Sequence, residues 1–243
     1  MNKYKHLLFD MDETLLDFSQ AEKLAFYQLM DELNITNKER LYSIFSPLNL
    51  SLWKKLEKNE ITKPELFATR FGTILNEANT SGDLPVGVEL PSIQEVNSLY
   101  MTFIASCGIT FPGAVELLTK LKATGLYDLC IITNGTTFSA NGRLNASGLR
   151  PLIDEVFISD EIGVNKPSAL FFDKVKDCIG DFDCQHYLVI GDSLTSDIQG
   201  AINANMDAVL ITHHGEFPEN TQNYAIKYTA KSFDDVYNIV TNA

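Results

Sequence analysis

Two aspartates separated by one residue, Asp10 and Asp12, follow a short apolar run near the start of the chain. The run, Leu7 to Phe9, is typical of a buried strand, and open α/β sheets bind ligands at the carboxyl ends of their strands. Two neighbouring carboxylates repel each other unless a cation lies between them, so the pair indicates a cation site. Taken alone, the pattern also fits a turn capped by Asp12 and Thr14.

A second group of polar residues follows a later apolar run and consists of Thr133, Asn134 and Gly135. Their hydroxyl, amide and main-chain N–H groups can donate hydrogen bonds to phosphate oxygens. Lys166 precedes Pro167 and a predicted helix, where its charge would lie near an anion-binding helix start. An ordinary capped turn and a surface lysine are the alternatives at these two places.

Two further acids, Asp192 and Asp197, follow the apolar run that ends at Gly191. They also fit the start of a capped helix. Together with Asp10 and Asp12 they form a set of oxygen ligands that contains no His or Cys. Such a set favours Mg²⁺, which also binds the phosphate of a substrate.

The elements that must position these residues are five short apolar runs and the helical patterns between them. The runs are continuous rather than alternating, which is typical of strands buried on both faces of a parallel sheet. Strand and helix alternate from about residue 108 onward and predict a doubly wound, Rossmann-like α/β domain. The five predicted strands are Leu7 to Phe9, Leu129 to Ile132, Val156 to Ile158, Tyr187 to Ile190, and Ala208 to Ile211.

The segment from about Asp17 to Ser106 shows helical patterns and no convincing strand. We interpret it as an all-helical domain inserted after the first strand. The predicted division is an α/β catalytic core at 1–16 and 106–243 and a helical domain at 17–105. A chain of 243 residues with 45% hydrophobic residues is long enough for two such unequal domains.

Composition limits the partners of the protein. The formal net charge of −13 argues against binding long nucleic acid through a basic surface, although a local site can still bind a small phosphate ester. No stretch is apolar enough to span a membrane, and the start of the chain lacks a signal-peptide pattern. We therefore expect a cytoplasmic protein that is a monomer or a weak homo-oligomer.

Four motifs occur in a fixed order: Asp-x-Asp-x-Thr at Asp10, Thr-Asn-Gly at Thr133, Lys-Pro at Lys166, and Gly-Asp-Ser-x-x-x-Asp at Gly191. In this order they resemble the motifs of the haloacid dehalogenase superfamily, and the resemblance covers essentially the whole chain. The helical insertion resembles the cap domain of that superfamily. Within the superfamily the chain is similar to nucleoside-monophosphate phosphatases, including pyrimidine 5′-nucleotidase-like enzymes.

The resemblance implies catalytic roles for three residues. Asp10 would be the nucleophile that forms an aspartyl-phosphate, and it would also bind Mg²⁺. Asp12 would protonate the leaving alkoxide and later deprotonate water, while its main-chain carbonyl reaches the metal. Lys166 would steady Asp10 and the developing charge. The implied activity is that of a Mg²⁺-dependent phosphoric monoester hydrolase acting on a small molecule such as a nucleoside monophosphate.

Binding roles follow from the same resemblance. Thr133 and Asn134 would hold the phosphoryl oxygens, Asp192 would bind Mg²⁺, and Asp197 would support the metal ligands or Lys166. These roles agree with physical chemistry, since phosphoryl transfer depends on positioning and on neutralising charge more than on covalent activation.

Three other functions are compatible with this fold. A sugar phosphomutase would share Asp10 and Asp12. A haloacid dehalogenase would not need Asp12, because a halide leaves without a proton. A non-catalytic binding protein would have no chemical need to keep the complete set of acids, which argues against it.

Several polar and aromatic residues are predicted to have no part in catalysis. Arg143 lies in the helix after the Thr-Asn-Gly motif and is predicted to pair with acids on the surface of that helix. His213 and His214 follow the fifth strand and are predicted to be loop residues. Phe45 and Trp53, in the helical segment, are predicted to belong to its core.

Overall fold

Strands and helices alternate along most of the chain in the computed structural model, which describes residues 3–58 and 60–242. Six strands form one sheet in the order β3-β2-β1-β4-β5-β6, and every neighbouring pair is parallel. The predicted doubly wound, Rossmann-like α/β fold is confirmed. The strands are β1 (His6–Asp10), β2 (Asp128–Thr133), β3 (Glu155–Ile158), β4 (Tyr187–Gly191), β5 (Asp207–Ile211) and β6 (Tyr228–Ala230).

The helices of the described residues fall into two groups: α1 to α4 follow one another within residues 18–106, and the others lie in the rest of the chain with the remaining strands. In chain order they are α1 (Phe18–Glu32), α2 (Lys38–Glu57), α3 (Lys63–Ser81), α4 (Ile93–Ser106), α5 (Ala114–Thr124), α6 (Thr137–Ala146), α7 (Ser159–Ile162), α8 (Ala169–Ile179), α9 (Gln199–Asn203) and α10 (Phe233–Asn242).

The described residues divide into two compact units, one running up to Phe18 and from Gly108 onward, the other comprising Ser19–Cys107. The sequence-based boundaries, after residues 16 and 105, differ from these by two residues each. The first unit contains the whole sheet and the second contains helices only.

The sheet of the first unit is buried on both faces, which explains its continuous apolar strands. Leu7 and Phe9 of β1 pack into one apolar core with residues of α5, α6 and α10. Leu8 points to the opposite face and packs into a second core with residues of α8 and the segment around α9. Successive strand residues face opposite sides of a sheet, so both sets must be apolar.

The helical unit has its own aromatic core. Phe45 is completely buried, and its ring centre lies 5.5 Å from that of Phe71 and 5.7 Å from that of Tyr100. The prediction for Phe45 is therefore confirmed, and the half-buried Trp53 packs against a separate small cluster of Leu52, Leu56 and Leu66. Capping boxes formed by Thr62 with Glu65, and by Ser92 with Glu95, begin α3 and α4.

The structure differs from the sequence-based prediction in two elements of the first unit. The short strand β6 pairs with the edge of β5 and was not predicted. A π-helical turn, Leu194–Ile198, precedes α9 and was not predicted either. The helix α8 ends at Gly180, which has a φ of 82°, a conformation that favours glycine. Across the described part of the chain, no helix combines the length and apolar character needed to cross a membrane.

Candidate active site

The predicted site residues come together at one edge of the sheet. Asp10 is the last residue of β1, Thr133 is the last residue of β2, and Asp192 directly follows β4. Because β1 lies between β2 and β4 and all three are parallel, their carboxyl ends are adjacent. This edge is where open α/β sheets bind ligands.

Lys166 links two of the predicted acids. Its Nζ lies 2.6 Å from Asp10 Oδ1 and 2.6 Å from Asp197 Oδ1, and it also donates to the carbonyl oxygen of Ile132 at 3.0 Å. The side chain of Lys166 is 1% exposed. Burial lowers the pKa of Lys166, but Asp10 and Asp197 more than offset this effect, so that its pKa is raised and the amine stays charged.

Asp10, Asp192 and Asp197 form a cluster of carboxylates in which one oxygen of each lies within 4.8 Å of the others. Burial raises the pKa of Asp10 to about 8, although Lys166 opposes the rise and Asp197 adds to it. Burial also raises the pKa of Asp192 well above its usual range, and the charges of Asp10 and Asp197 add to the rise. A divalent cation would relieve this repulsion, and an all-oxygen donor set with a lysine beside it fits Mg²⁺.

Asp197 lies in the π-helical turn, Leu194–Ile198, that follows β4. The main-chain N–H of Ser193 donates to Asp197 Oδ2 at 3.1 Å, and the Asp197 side chain is 1% exposed. Gly191 is required here, since a Cβ at this position would overlap the Asp197 carboxylate. The close approach lets a buried acid lie directly against the end of β4.

Asn134 fixes the segment that carries Lys166. Its side-chain Nδ2 donates to the carbonyl oxygen of Lys166 at 3.0 Å, and its Oδ1 accepts from the N–H of Lys166 at 2.9 Å. Nδ2 also lies 3.3 Å from Ser196 Oγ. Thr133 is buried beside it, and its Oγ1 accepts from the N–H of Gly135 at 3.0 Å. The Thr-Asn-Gly turn is thereby tied to the lysine and to the turn after β4.

Asp12 lies two residues beyond β1 and keeps a side-chain exposure of 28%. Both of its oxygens accept hydrogen bonds from the guanidinium of Arg143, and the Nη2–Oδ2 distance is 2.9 Å. All seven predicted site residues thus lie at the carboxyl edge of the sheet, in the α/β unit.

A family profile described as haloacid dehalogenase-like hydrolase matches residues 4–205. The chain belongs to the haloacid dehalogenase-like hydrolases. The matched range includes every residue of the site from Asp10 to Asp197.

Two curated relatives and one solved structure resemble this haloacid dehalogenase-like hydrolase over nearly its whole length. Pyrimidine 5′-nucleotidase PynA of Streptococcus pneumoniae is 39% identical over 96% of this chain and 93% of that protein. Pyrimidine 5′-nucleotidase YjjG of Escherichia coli is 30% identical over 89% of this chain and 90% of that protein. The crystal structure of Bacillus subtilis YfnB bound to magnesium has a TM-score of 0.85 and 31% identity, and the match covers 98% of this chain and 99% of that one.

Sequence reasoning missed the position of Arg143 in this haloacid dehalogenase-like hydrolase. The prediction of a surface pair is wrong, because Arg143 is 2% exposed and its partner is Asp12. One signal was available: Arg143 lies on the same helical face as Ala140 and Leu144, which are both buried. A single arginine on an apolar helical face needs a partner that accepts its hydrogen bonds.

The loop residues His213 and Thr14 support a metal-ligand candidate indirectly. His213 Nε2 donates to the carbonyl oxygen of Thr14 at 2.9 Å, and its ring stacks on Phe111 with ring centres 3.9 Å apart. The hydroxyl of Thr14 in turn donates to Asp192 Oδ1 at 3.3 Å. The sequence placed His213 in a loop correctly but gave no sign of these contacts.

Adding Mg²⁺ to the metal-free protein is expected to raise its melting temperature, and to do so more at about pH 8 than at about pH 6. The folded-state pKa of Asp10, about 8, lies above that of an unfolded aspartate, so its proton stabilises the metal-free fold at low pH and this contribution is lost as the pH rises through about 8. Mg²⁺ must displace that proton at the lower pH. At a hundredfold excess over Kd the stabilisation is about 2.7 kcal/mol.

Differential scanning calorimetry with EDTA or with Mg²⁺ measures this effect. Asp192→Asn is expected to remove most of the shift, whereas Asp234→Asn, which changes an acid that is 88% exposed, keeps it. An equal Mg²⁺ shift at both pH values, or an undiminished one in Asp192→Asn, would contradict the assignment.

Proposed function

We propose that this protein is a Mg²⁺-dependent phosphatase that hydrolyses small phosphate monoesters through an aspartyl-phosphate on Asp10. The observation that carries the proposal is the buried Lys166 amine, 2.6 Å from both Asp10 and Asp197. It holds a carboxylate in place at the carboxyl edge of the sheet, beside a second pair of acids, Asp12 and Asp192. A fixed carboxylate, a nearby cation and a second acid are the groups that this reaction needs.

In the first half-reaction an oxygen of Asp10 attacks the phosphorus atom, and the bond between phosphorus and the ester oxygen breaks. Asp12 gives its proton to that oxygen, which leaves as an alcohol. Lys166 binds Asp10 Oδ1 and so fixes the orientation of the carboxylate. The products are a phosphorylated Asp10 and an ionised Asp12.

In the second half-reaction water attacks the phosphorus atom of the aspartyl-phosphate. Asp12 takes a proton from the water as the new bond forms, and the bond to Asp10 breaks. Inorganic phosphate leaves, and both aspartates return to their starting protonation states. The same residue serves as acid and then as base, so each cycle is balanced.

Mg²⁺ would be held by the carboxylates of Asp10 and Asp192 and by the main-chain carbonyl of Asp12. When bound, the ion supplies positive charge against the phosphoryl oxygens. Thr133 and Asn134 hold these oxygens as well. The side chain of Asn134 is hydrogen-bonded to the main chain of Lys166, so Asn134 would bind a phosphoryl oxygen through its main-chain N–H.

We propose pyrimidine nucleoside 5′-monophosphates as the substrates to test first. Two relatives that are 39% and 30% identical are named pyrimidine 5′-nucleotidases, and both similarities extend over most of the chain. The helical unit, Ser19–Cys107, is proposed to serve as the cap domain and to contribute specificity.

The test is release of inorganic phosphate from a panel of nucleoside 5′-monophosphates with pyrimidine or purine bases, together with sugar phosphates, with Mg²⁺ or with EDTA. We expect kcat/KM for pyrimidine nucleotides to exceed that for purine nucleotides by about tenfold or more, which corresponds to about 1.4 kcal/mol in transition-state binding. Activity in EDTA is expected to be close to zero.

Different outcomes separate the alternatives. Isomerisation of a sugar phosphate without release of phosphate would favour the phosphomutase. Halide release from a haloacid would favour a dehalogenase. Mg²⁺ binding without turnover of any ester would favour a binding protein, and equal rates on purine and pyrimidine nucleotides would remove only the substrate assignment.

A further inference from the structure

The paired side chains of Arg143 and Asp12 form a contact that the reaction scheme above does not use. Both terminal nitrogens of Arg143 donate to both oxygens of Asp12, with Nη2 at 2.9 Å from Oδ2. Two parallel hydrogen bonds from a planar guanidinium fix the position of a carboxylate and also the plane in which it lies. A lysine, with its single point charge, would leave that plane free to rotate.

Two further contacts hold the side chain of Arg143. Its Nε donates to Ser139 Oγ at 3.3 Å, one helical turn earlier in α6. Its guanidinium carbon lies 5.0 Å from the centre of the Phe18 ring, and the side chain is 2% exposed. The helix α6 is capped by Thr136, whose hydroxyl accepts from the N–H of Ser139. Arg143 is therefore fixed to the turn that directly follows Thr133.

Arg143 is buried and Asp12 is partly exposed, a difference that a pair serving only to stabilise the fold would not need. Arg143 is 2% exposed, while the Asp12 side chain is 28% exposed. A carboxylate has about four lone-pair sites, and Arg143 occupies two of them. Buried ion pairs are often no more stabilising than apolar groups of the same volume, so stability alone does not explain an arginine here.

We infer that Arg143 is a positioning residue that holds the Asp12 carboxyl group for proton transfer. The inference rests on the proposed phosphatase function. One edge of the carboxyl group stays on Arg143 while the remaining oxygen lone pairs exchange the proton. In the first half-reaction this proton passes to the ester oxygen as its bond to phosphorus breaks; in the second it returns from the attacking water. Arg143 neither gains nor loses a proton in either step.

The test compares two esters of similar size, phenyl phosphate and p-nitrophenyl phosphate, in the full-length protein with Mg²⁺. Nitrophenolate leaves readily without a proton, whereas phenolate benefits from an acid. We expect Arg143→Met to lower kcat/KM for phenyl phosphate by about 100-fold and for p-nitrophenyl phosphate by less than about tenfold. A merely structural role would lower both values equally.

Asp12→Asn is expected to show the same dependence on the leaving group, and the double variant is expected to lose little more than either single variant, because the two residues act as one unit. Arg150→Met is the matched control: Arg150 is exposed, and its Nη1 donates to the carbonyl oxygen of Ile153 at 3.0 Å. We expect its rates to equal those of the wild type. If Arg143→Met does not fold, the two esters are compared in Arg143→Lys instead. We expect its loss of kcat/KM to be smaller but still greater for phenyl phosphate than for p-nitrophenyl phosphate.

The outcomes separate the role of Arg143 from the proposed phosphatase function. Equal losses on both esters in an active enzyme overturn the role of Arg143 and leave the phosphatase function standing. Additive losses in the double variant do the same. A wild-type protein that hydrolyses neither ester nor any member of the nucleotide panel overturns the proposed function, and the role of Arg143 falls with it.

Discussion

Asp10→Asn is expected to lower the rate of phosphate release by at least about 10⁴-fold while the protein remains folded. An amide oxygen is a poor nucleophile, and the substitution removes the oxygen that would carry the phosphoryl group. The side chain keeps its size, and a buried carboxylate whose pKa is raised to about 8 is replaced by a neutral group. We therefore expect no loss of stability in the metal-free protein. The measurement is kcat with p-nitrophenyl phosphate, with the melting temperature recorded in EDTA.

Mass spectrometry of acid-quenched enzyme provides the second readout. The wild-type protein is expected to carry one phosphoryl group on the peptide that contains Asp10, and Asp10→Asn to carry none. Asp234→Asn, which changes an acid exposed on α10, is the matched control and should behave as the wild type. A phosphoryl group found on another peptide, or a substantial rate in Asp10→Asn, would show that Asp10 is not the nucleophile.

The place of the candidate site could be predicted because topology alone determines it. Asp10, Thr133 and Asp192 each end or follow a continuous apolar run, and such runs alternating with helices predict a parallel sheet. All carboxyl ends of neighbouring parallel strands lie at one edge. Asp10, Thr133 and Asp192, which are far apart in the chain, are therefore predicted to lie at one edge without any knowledge of the packing.

The partners of individual side chains could not be predicted in the same way. Arg143 meets Asp12, 131 positions earlier, because α6 packs beside the end of β1. Its spacing from Ala140 and Leu144 placed it on the apolar face of the helix but could not name the acid. The amide of Asn134 has the chemistry of a phosphate donor, yet it bonds to the main chain of Lys166. These hydrogen-bond partners depend on the distances between helices and strands, which the periodicity of the sequence does not reveal.

The secondary structure that sequence analysis missed has a similar origin. The strand β6 has only three residues and forms because β5 offers an open edge to pair with. The π-helical turn at Leu194–Ile198 brings Asp197 against Gly191, and this requirement is set by the site rather than by helix propensity. Both are cases in which tertiary contacts override local preference.

Lys166→Met is expected to destabilise the metal-free protein by about 3–5 kcal/mol at about pH 8, because it leaves Asp10 and Asp197 buried without their cation. Phosphate release is expected to fall by about 10²–10³-fold.

Lys166 opposes the rise in the pKa of Asp10, so in the Lys166→Met variant that pKa rises further. A raised carboxylate pKa stabilises the folded state at low pH, and this contribution is lost as the pH rises. The deficit in unfolding free energy is therefore expected to shrink toward about pH 5. The contribution of Lys166 itself is constant over this range, since its folded-state pKa is raised above an already high value.

Urea denaturation at the two pH values, in EDTA, measures the deficit. Adding Asp197→Asn to Lys166→Met is expected to restore part of the stability, because it removes one uncompensated charge, but none of the activity. Lys176→Met is the matched control: its side chain is 14% exposed and pairs with the largely exposed Asp173 at 2.9 Å, and such pairs contribute about 0–1 kcal/mol. A deficit that stays constant with pH would mean that the buried acids do not hold the uncompensated charge. Activity restored together with stability in the double variant would mean that Lys166 serves only to neutralise Asp197, and the lysine would then have no role in positioning Asp10 for attack.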